Sequence, residues 1–215
     1  MRTLVVGAGR MGHGIALCYA LGGHGVDLVD TDEGGFARAR AAIGAAAALL
    51  ADNELRTSTE VEQAIERIHF GTDLAAAAAQ AGLVEEAIPE DLPAKQRLLE
   101  EIESTAPDEA MLATNTSSLR IGAIGARMTH PERLIGIHWV APPYLVPTVE
   151  IVRTPTTPVE LVDRAKQMLI GLGKVPVVVP DVAGFAVNRL QYALFAAATD
   201  LVEQGILEPA EVDQV

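Results

Sequence analysis

Residues 5–16 read VVGAGRMGHGIA. Two valines close an apolar run, glycines follow at positions 7, 9 and 12, and an apolar helical pattern begins at once. The G-x-G-x-x-G spacing between a strand and a helix has a physical logic. Gly7 permits a tight turn, Gly9 lets a pyrophosphate approach the backbone, and Gly12 lets helix and strand pack closely. The helix that follows presents unpaired N–H groups and partial positive charge to an anion.

The next apolar run, Val26 to Asp30, ends in a carboxylate 18 residues after Gly12, where it would bond ribose hydroxyls. A carboxylate there repels a 2′-phosphate, so the expected cofactor is NAD and not NADP. Its site is expected to include Gly7, Gly9, Arg10, Met11, Gly12 and Asp30. Arg10 lies within the loop and not after Asp30, which makes it a weak argument for NADP. His13 falls in the first helical turn and reads as a neighbour of the phosphates.

Working outward, short apolar runs alternate with helical stretches. Strands are expected at Thr3–Val6, 26–30, 83–84, 111–113, 133–139, 148–152 and 175–179. Helices are expected at Gly12–Leu21, 33–51 and Leu92–Ser104, with 52–67 as a further helix, paired with the one before it in a protruding hairpin. The alanine-rich stretches 41–51 and 75–81 signal helix and not function. Strands alternating with helices in this way predict an α/β fold, a Rossmann-type, doubly wound, mostly parallel sheet. After Pro180 the pattern changes. Gly184 to Gln204 reads as one long helix stopped by Gly205, and another starts at Pro209. The expected division is a dinucleotide-binding domain over 1–182 and the beginning of an all-helical domain over 183–215.

Composition narrows the partners. The chain has 215 residues, a net charge of -13 and 49% hydrophobic residues. An acidic chain is a poor match for nucleic acid or an anionic membrane. A small anion can still bind where dipoles or a few basic side chains outweigh the global field. The single cysteine, Cys18, cannot form an internal disulfide, and no apolar stretch approaches a membrane span, so a soluble cytoplasmic protein is expected. No metal site is expected.

Four polar positions stand at element ends. The stretch Asn115-Thr116-Ser117-Ser118 follows an apolar run, and His138 ends another. Glu150 sits inside VEIV, and Asn188 lies one turn into the long helix. Each has an ordinary reading. A serine there can cap a helix, a strand-end histidine can be structural, and an asparagine can bond nearby backbone. Glu150 is harder to dismiss, because a carboxylate between Val149 and Ile151 needs a partner.

The runs GAGRMGHGIA, EAIPEDLPAK, NTSSL, IHWVAPP…VEIV and GFAVNRLQYA together resemble the 3-hydroxyacyl-CoA dehydrogenase superfamily, in order, over about residues 3–215. APPYLVPTVEIV and the stretch from Asn188 onward are most similar to its lambda-crystallin, or L-gulonate 3-dehydrogenase, branch, whose members oxidise a 3-hydroxyl on a free sugar acid. The resemblance implies that His138 is the general acid/base and Glu150 its orienting carboxylate. It implies that Ser117 and Asn188 hydrogen-bond the reacting oxygen, that Glu90, Lys95 and Ser117 line the nicotinamide half of the cofactor site, and that Asn115 is a further cofactor-binding residue. It also implies a homodimer formed through the helical domain. The chemistry agrees: oxidising an alcohol needs a hydride acceptor and a base, and an imidazole of pKa about 6.5 can serve at neutral pH. A carboxylate on its other nitrogen fixes the tautomer.

Three departures bear on the substrate. The family pattern HxxNP has asparagine three residues after the histidine, where this chain has Ala141. Acyl-CoA enzymes carry lysines after the second strand, whereas residues 31–70 hold only arginines, at 38, 40, 56 and 67. Relatives continue for roughly another hundred residues beyond the position of Val215. The expected reaction is therefore oxidation of the 3-hydroxyl of a small anionic hydroxy acid, or reduction of the keto form. An acyl-CoA thioester substrate is the alternative, and an NAD-binding structural or sensor protein is the reading from another class. A lysine-dependent hydroxyacid dehydrogenase fits poorly, since no lysine lies early in the long helix.

Overall fold

In the computed structural model, which describes residues 1–215, strand β1 (Arg2–Val6) runs into the glycine turn and helix α1 (Gly12–Leu21) leaves it. Two glycines are required there. Gly7 has φ +101°, and a Cβ on it would lie 2.8 Å from the Ala87 carbonyl oxygen. A Cβ on Gly12 would sit 1.7 Å from the Gly7 carbonyl oxygen, so strand end and helix start touch through backbone alone.

The chain continues as β2 (Gly25–Val29), α2 (Glu33–Asp52), α3 (Ser58–Glu66), β3 (Ile68–Gly71), α4 (Leu74–Ala78), β4 (Leu83–Glu86), α5 (Leu92–Thr105), β5 (Met111–Thr114) and α6 (Ile121–Ile124). Then come β6 (Leu134–Trp139), β7 (Thr148–Arg153), α7 (Val159–Gly171), β8 (Val175–Pro180), α8 (Val187–Glu203) and α9 (Pro209–Val212). The eight strands form one sheet in the order 3-2-1-4-5-6-7-8, parallel except where β7 runs antiparallel to β6. Apolar layers cover both faces. One is centred on α1, α2 and α7, and the other on α5 and α6. This is the doubly wound Rossmann-type sheet expected from the alternating pattern. Its crevice lies where the strand order reverses, at the carboxyl ends of β1 and β4.

Three local expectations change. Residues 52–67 are not one helix: α2 ends at Asp52, Glu54 turns the chain at φ +57°, and Thr57 and Glu60 form a reciprocal capping box that starts α3. The pair does not protrude, because both helices lie against α1. Strand β3 was not anticipated, since four residues with Phe70 half-buried at a sheet edge carry no clear alternation. The long helix starts at Val187 and not at Gly184, because Gly184 and Phe185 both adopt positive φ, at +72° and +46°. No helix is long and apolar enough to cross a membrane.

The close approach at Gly12 gives a direct test. Gly12→Ala forces strand and helix apart and is expected to cost about 1–3 kcal/mol of stability. The loss should appear as a lowered thermal midpoint together with weakened NAD binding; an unchanged melt would show that the turn can relax around a methyl group.

Candidate active site

The antiparallel turn between β6 and β7 is what brings His138 and Glu150 together. The turn carries Pro142, Pro143 and Pro147, and the register it sets places His138 directly opposite Glu150. Adjacent cross-strand side chains meet on one face of a sheet. His138 Nδ1 lies 2.7 Å from Glu150 Oε2 with both side chains buried. A carboxylate can only accept, so Nδ1 carries a proton, and in the neutral ring the lone pair falls to Nε2. That nitrogen faces the Ser117 hydroxyl at 3.1 Å.

The other oxygen of Glu150 accepts from the backbone N–H groups of Ala186 and Val187, at 2.8 and 2.9 Å. Burial would raise this carboxyl, but the His138 hydrogen bond and the two backbone donors outweigh it and hold Glu150 below the ordinary carboxylate range. The same side chain therefore orients the histidine and anchors the start of α8. A second tie comes from Asn188, whose Nδ2 donates to the Ser117 carbonyl at 2.9 Å. Its bond is thus to the site loop and not to its own helix. Ser117 and Ser118 do not cap α6 either, since that helix begins after Arg120.

Glu90 shapes the loop that carries Ser117. One of its carboxylate oxygens accepts from the Thr116 hydroxyl, the Ser117 and Ser118 N–H groups and the Ser118 hydroxyl, at 2.6 to 3.0 Å. Burial opposes this charge, and these donors overcome it and lower the pKa. Asn115 holds the other side, its Oδ1 accepting from the Trp139 N–H at 3.1 Å. Lys95 is placed differently from expectation. Its ammonium has no exposed surface and lies behind the cleft wall, bonded to both Glu86 oxygens and to the Ile88 and Asn115 carbonyls. The physical reason is Glu86, a carboxylate buried at the end of β4 that needs a counter-charge there. Sequence reasoning passed over Glu86 and its other partner, Thr114, although both sit in the strand ends that flank the crevice.

A cleft of about 800 Å³ runs along the carboxyl ends of β1, β2 and β4. Gly7, Gly9, Arg10, Met11 and Asp30 lie on one wall, with Glu90, Asn115 and Ser117 on the other. Asp30 accepts from the Ala8 N–H at 2.7 Å and the Asp32 N–H at 3.0 Å, which fixes its carboxylate at the end of β2 with lone pairs to spare. Gly12 stays behind the turn as a packing residue. A glycine turn too tight for any side chain, a helix N-terminus and a fixed strand-end carboxylate fit an NAD molecule. A second chamber of about 360 Å³ adjoins the cleft, sharing Arg10, Met11, Asn115 and Ser117 with it, and adds His138, Ala141, Asn188 and Gln191.

Residues 2–182 match the family model described as the NAD binding domain of 3-hydroxyacyl-CoA dehydrogenase, and residues 184–215 match its C-terminal domain. The chain belongs to the 3-hydroxyacyl-CoA dehydrogenase family of NAD-dependent oxidoreductases. It is 34% identical over 215 residues to the human lambda-crystallin homolog, covering 99% of this chain and 67% of that one. It is 31% identical over 210 residues to 5-formyl-3-hydroxy-2-methylpyridine 4-carboxylate 5-dehydrogenase of Mesorhizobium japonicum, covering 97% and 67%. The structure of 3-hydroxybutyryl-CoA dehydrogenase from Escherichia coli K12 superposes with a TM-score of 0.90 at 33% identity, covering 97% of this chain and 44% of that one. The chain thus spans about two thirds of the length of these curated relatives and less than half of that solved structure.

Under the site lies one carboxyl of the opposite character. Glu85 is fully buried and bonded to the Tyr19 hydroxyl at 2.7 Å. Burial raises it to about 8, against the pull of the Tyr19 hydroxyl. A carboxyl raised in the folded state binds protons more tightly than in the unfolded chain. Its contribution is fully present below the ordinary carboxyl range and is lost as pH rises to about 8. Glu85→Gln should therefore gain thermal midpoint relative to the parent as pH rises from 5 to 8, with the gain levelling off above that. At about 2–4 °C per kcal/mol for a chain of this size the trend is measurable by calorimetry. A difference independent of pH would show Glu85 to be ionised throughout.

Proposed function

We propose that this chain is the catalytic part of an NAD-dependent dehydrogenase that oxidises the 3-hydroxyl of a 3-hydroxy acid, or reduces the corresponding keto group. The observation that carries the reading is His138, with Nδ1 committed to Glu150 and Nε2 paired with the Ser117 hydroxyl in a chamber that shares a wall with the dinucleotide cleft.

Bound NAD supplies the hydride acceptor. In the proposed reaction His138 Nε2 takes the hydroxyl proton as the C–H bond breaks, and the adjacent Glu150 carboxylate stabilises the imidazolium that forms. In the reverse direction the protonated Nε2 returns that proton to the carbonyl oxygen. In this reading the Ser117 hydroxyl and the second N–H of the Asn188 amide donate to the same oxygen once substrate is bound. The exposed Leu190, Tyr192, Leu194 and Phe195 along α8 form an apolar face for a further helical surface, of the same protein or of a second copy, to cover.

A thioester substrate is the second reading, favoured by the E. coli relative that is a 3-hydroxybutyryl-CoA dehydrogenase. Against it, residues 31–70 hold no lysine for a CoA nucleotide. At about 30 Å³ per water, the chamber holds roughly a dozen water-sized groups, enough for a short acid.

His138→Ala is expected to leave NAD affinity nearly intact while lowering kcat by about 10²–10⁴-fold. Glu150→Gln should lower kcat by ~10²-fold or more, because it no longer imposes one tautomer on the ring. Titration with NAD, followed by NADH absorbance on matched 3-hydroxy acids and thioesters, measures both. Turnover retained in His138→Ala would remove the histidine from the mechanism.

A further inference from the structure

The charge on the chamber wall carries one step more. Among the residues around His138, Arg10 is the one permanent cation. Its guanidinium enters no ion pair and no hydrogen bond within the protein, whereas the nearby Arg38 is paired with Asp32 at 3.4 Å. Arg10 lines the chamber and the dinucleotide cleft together, on the wall that the two cavities share. In a chain of net charge -13, a local cation at this chamber offsets the field that an anionic substrate meets.

The other donors there are few. Ala141, exposed on the chamber wall, has no polar side chain, while the Ser117 hydroxyl is paired with His138 Nε2 and the Asn188 amide donates to the Ser117 carbonyl. Two side-chain amides remain: Gln191, one turn along α8 from Asn188, and Asn115, whose Oδ1 accepts from the Trp139 N–H. The pyrophosphate of a dinucleotide is held by backbone N–H groups at the glycine turn, which leaves the arginine side chain available for another anion.

We propose that Arg10 is the residue that selects a free carboxylate at carbon 1 of the substrate, making this a dehydrogenase of short 3-hydroxy acids and not of their thioesters. The assignment rests on the reading of His138 as the base. Carbon 1 lies two bonds from carbon 3, so a hydroxyl at His138 Nε2 brings carbon 1 to the neighbouring wall of the same small chamber. A carboxylate there gains a charge-assisted, bidentate pair with a guanidinium, whereas the neutral carbonyl of a thioester or amide at that position gains little. Gln191 would supply a further donor to the same group.

The test pairs each free 3-hydroxy acid of four to six carbons with its primary amide, a neutral isostere, on the full-length protein with NAD. The ratio of kcat/KM for acid over amide is expected to be about 10–100 in the parent and to fall toward one in Arg10→Gln. Arg10→Lys should recover part of it. The second readout is binding: quenching of NADH fluorescence reports the dead-end complex of enzyme, NADH and hydroxy acid, whose Kd should rise by a similar factor in Arg10→Gln. A loss of acid and amide turnover by the same factor, in step with weaker NADH binding, would make Arg10 a cofactor residue and overturn the assignment. An acid-over-amide ratio that survives the substitution would overturn it too. If the parent oxidises no 3-hydroxy acid, amide or thioester, the dehydrogenase reading itself fails, an outcome separate from the failure of Arg10 alone.

Discussion

Glu150 is the side chain on which the site depends, because its two oxygens serve different parts of the molecule. One receives the His138 Nδ1–H from the neighbouring strand, and the other receives two backbone N–H groups at the start of α8. A buried carboxylate is tolerable only when its lone pairs are filled, and here filling them joins the sheet to the helix that carries Asn188. Orientation of the proposed base and docking of α8 are therefore one interaction. The same helix is tied back a second time through the Ser117 carbonyl, so the serine, histidine and asparagine are held relative to one another by hydrogen bonds and not by apolar packing alone.

The opposite wall is built on a similar principle. Glu86, Lys95 and Glu90 form a graded series from fully buried to part-exposed, and each charge is compensated by the next or by loop donors. Lys95 bonds the Asn115 carbonyl, and Glu90 gathers the donors of residues 116–118, so the loop after β5 is fixed from beneath and from the side. Such buried networks cost desolvation and repay it only when every member is satisfied. Their return here is geometric: Ser117 is presented to both the dinucleotide cleft and the chamber.

Much of this was legible in the chain. The glycine spacing, the acid at the end of the second strand and the alternation of strand and helix lead to the doubly wound sheet, because each reflects a local backbone requirement. What local pattern missed were elements without local signals. The edge strand at Ile68–Gly71 is defined by its pairing to β2, and the break at Glu54 is a single residue of positive φ. The motif around Lys95 suggests a cofactor contact, yet its contacts depend on Glu86, nine positions earlier and buried beside it.

The sequence by itself determined the class of chemistry: a turn that only glycine can make, a strand-end carboxylate, and ionisable side chains at the rims of apolar runs. Only the tertiary structure decided which of them meet. His138 and Glu150 are twelve residues apart in the chain, a separation compatible with many arrangements. They face each other because β7 turns antiparallel in an otherwise parallel sheet and because the register across that turn pairs those two positions. A shift of one residue would point Glu150 to the other face, since side chains alternate along a strand.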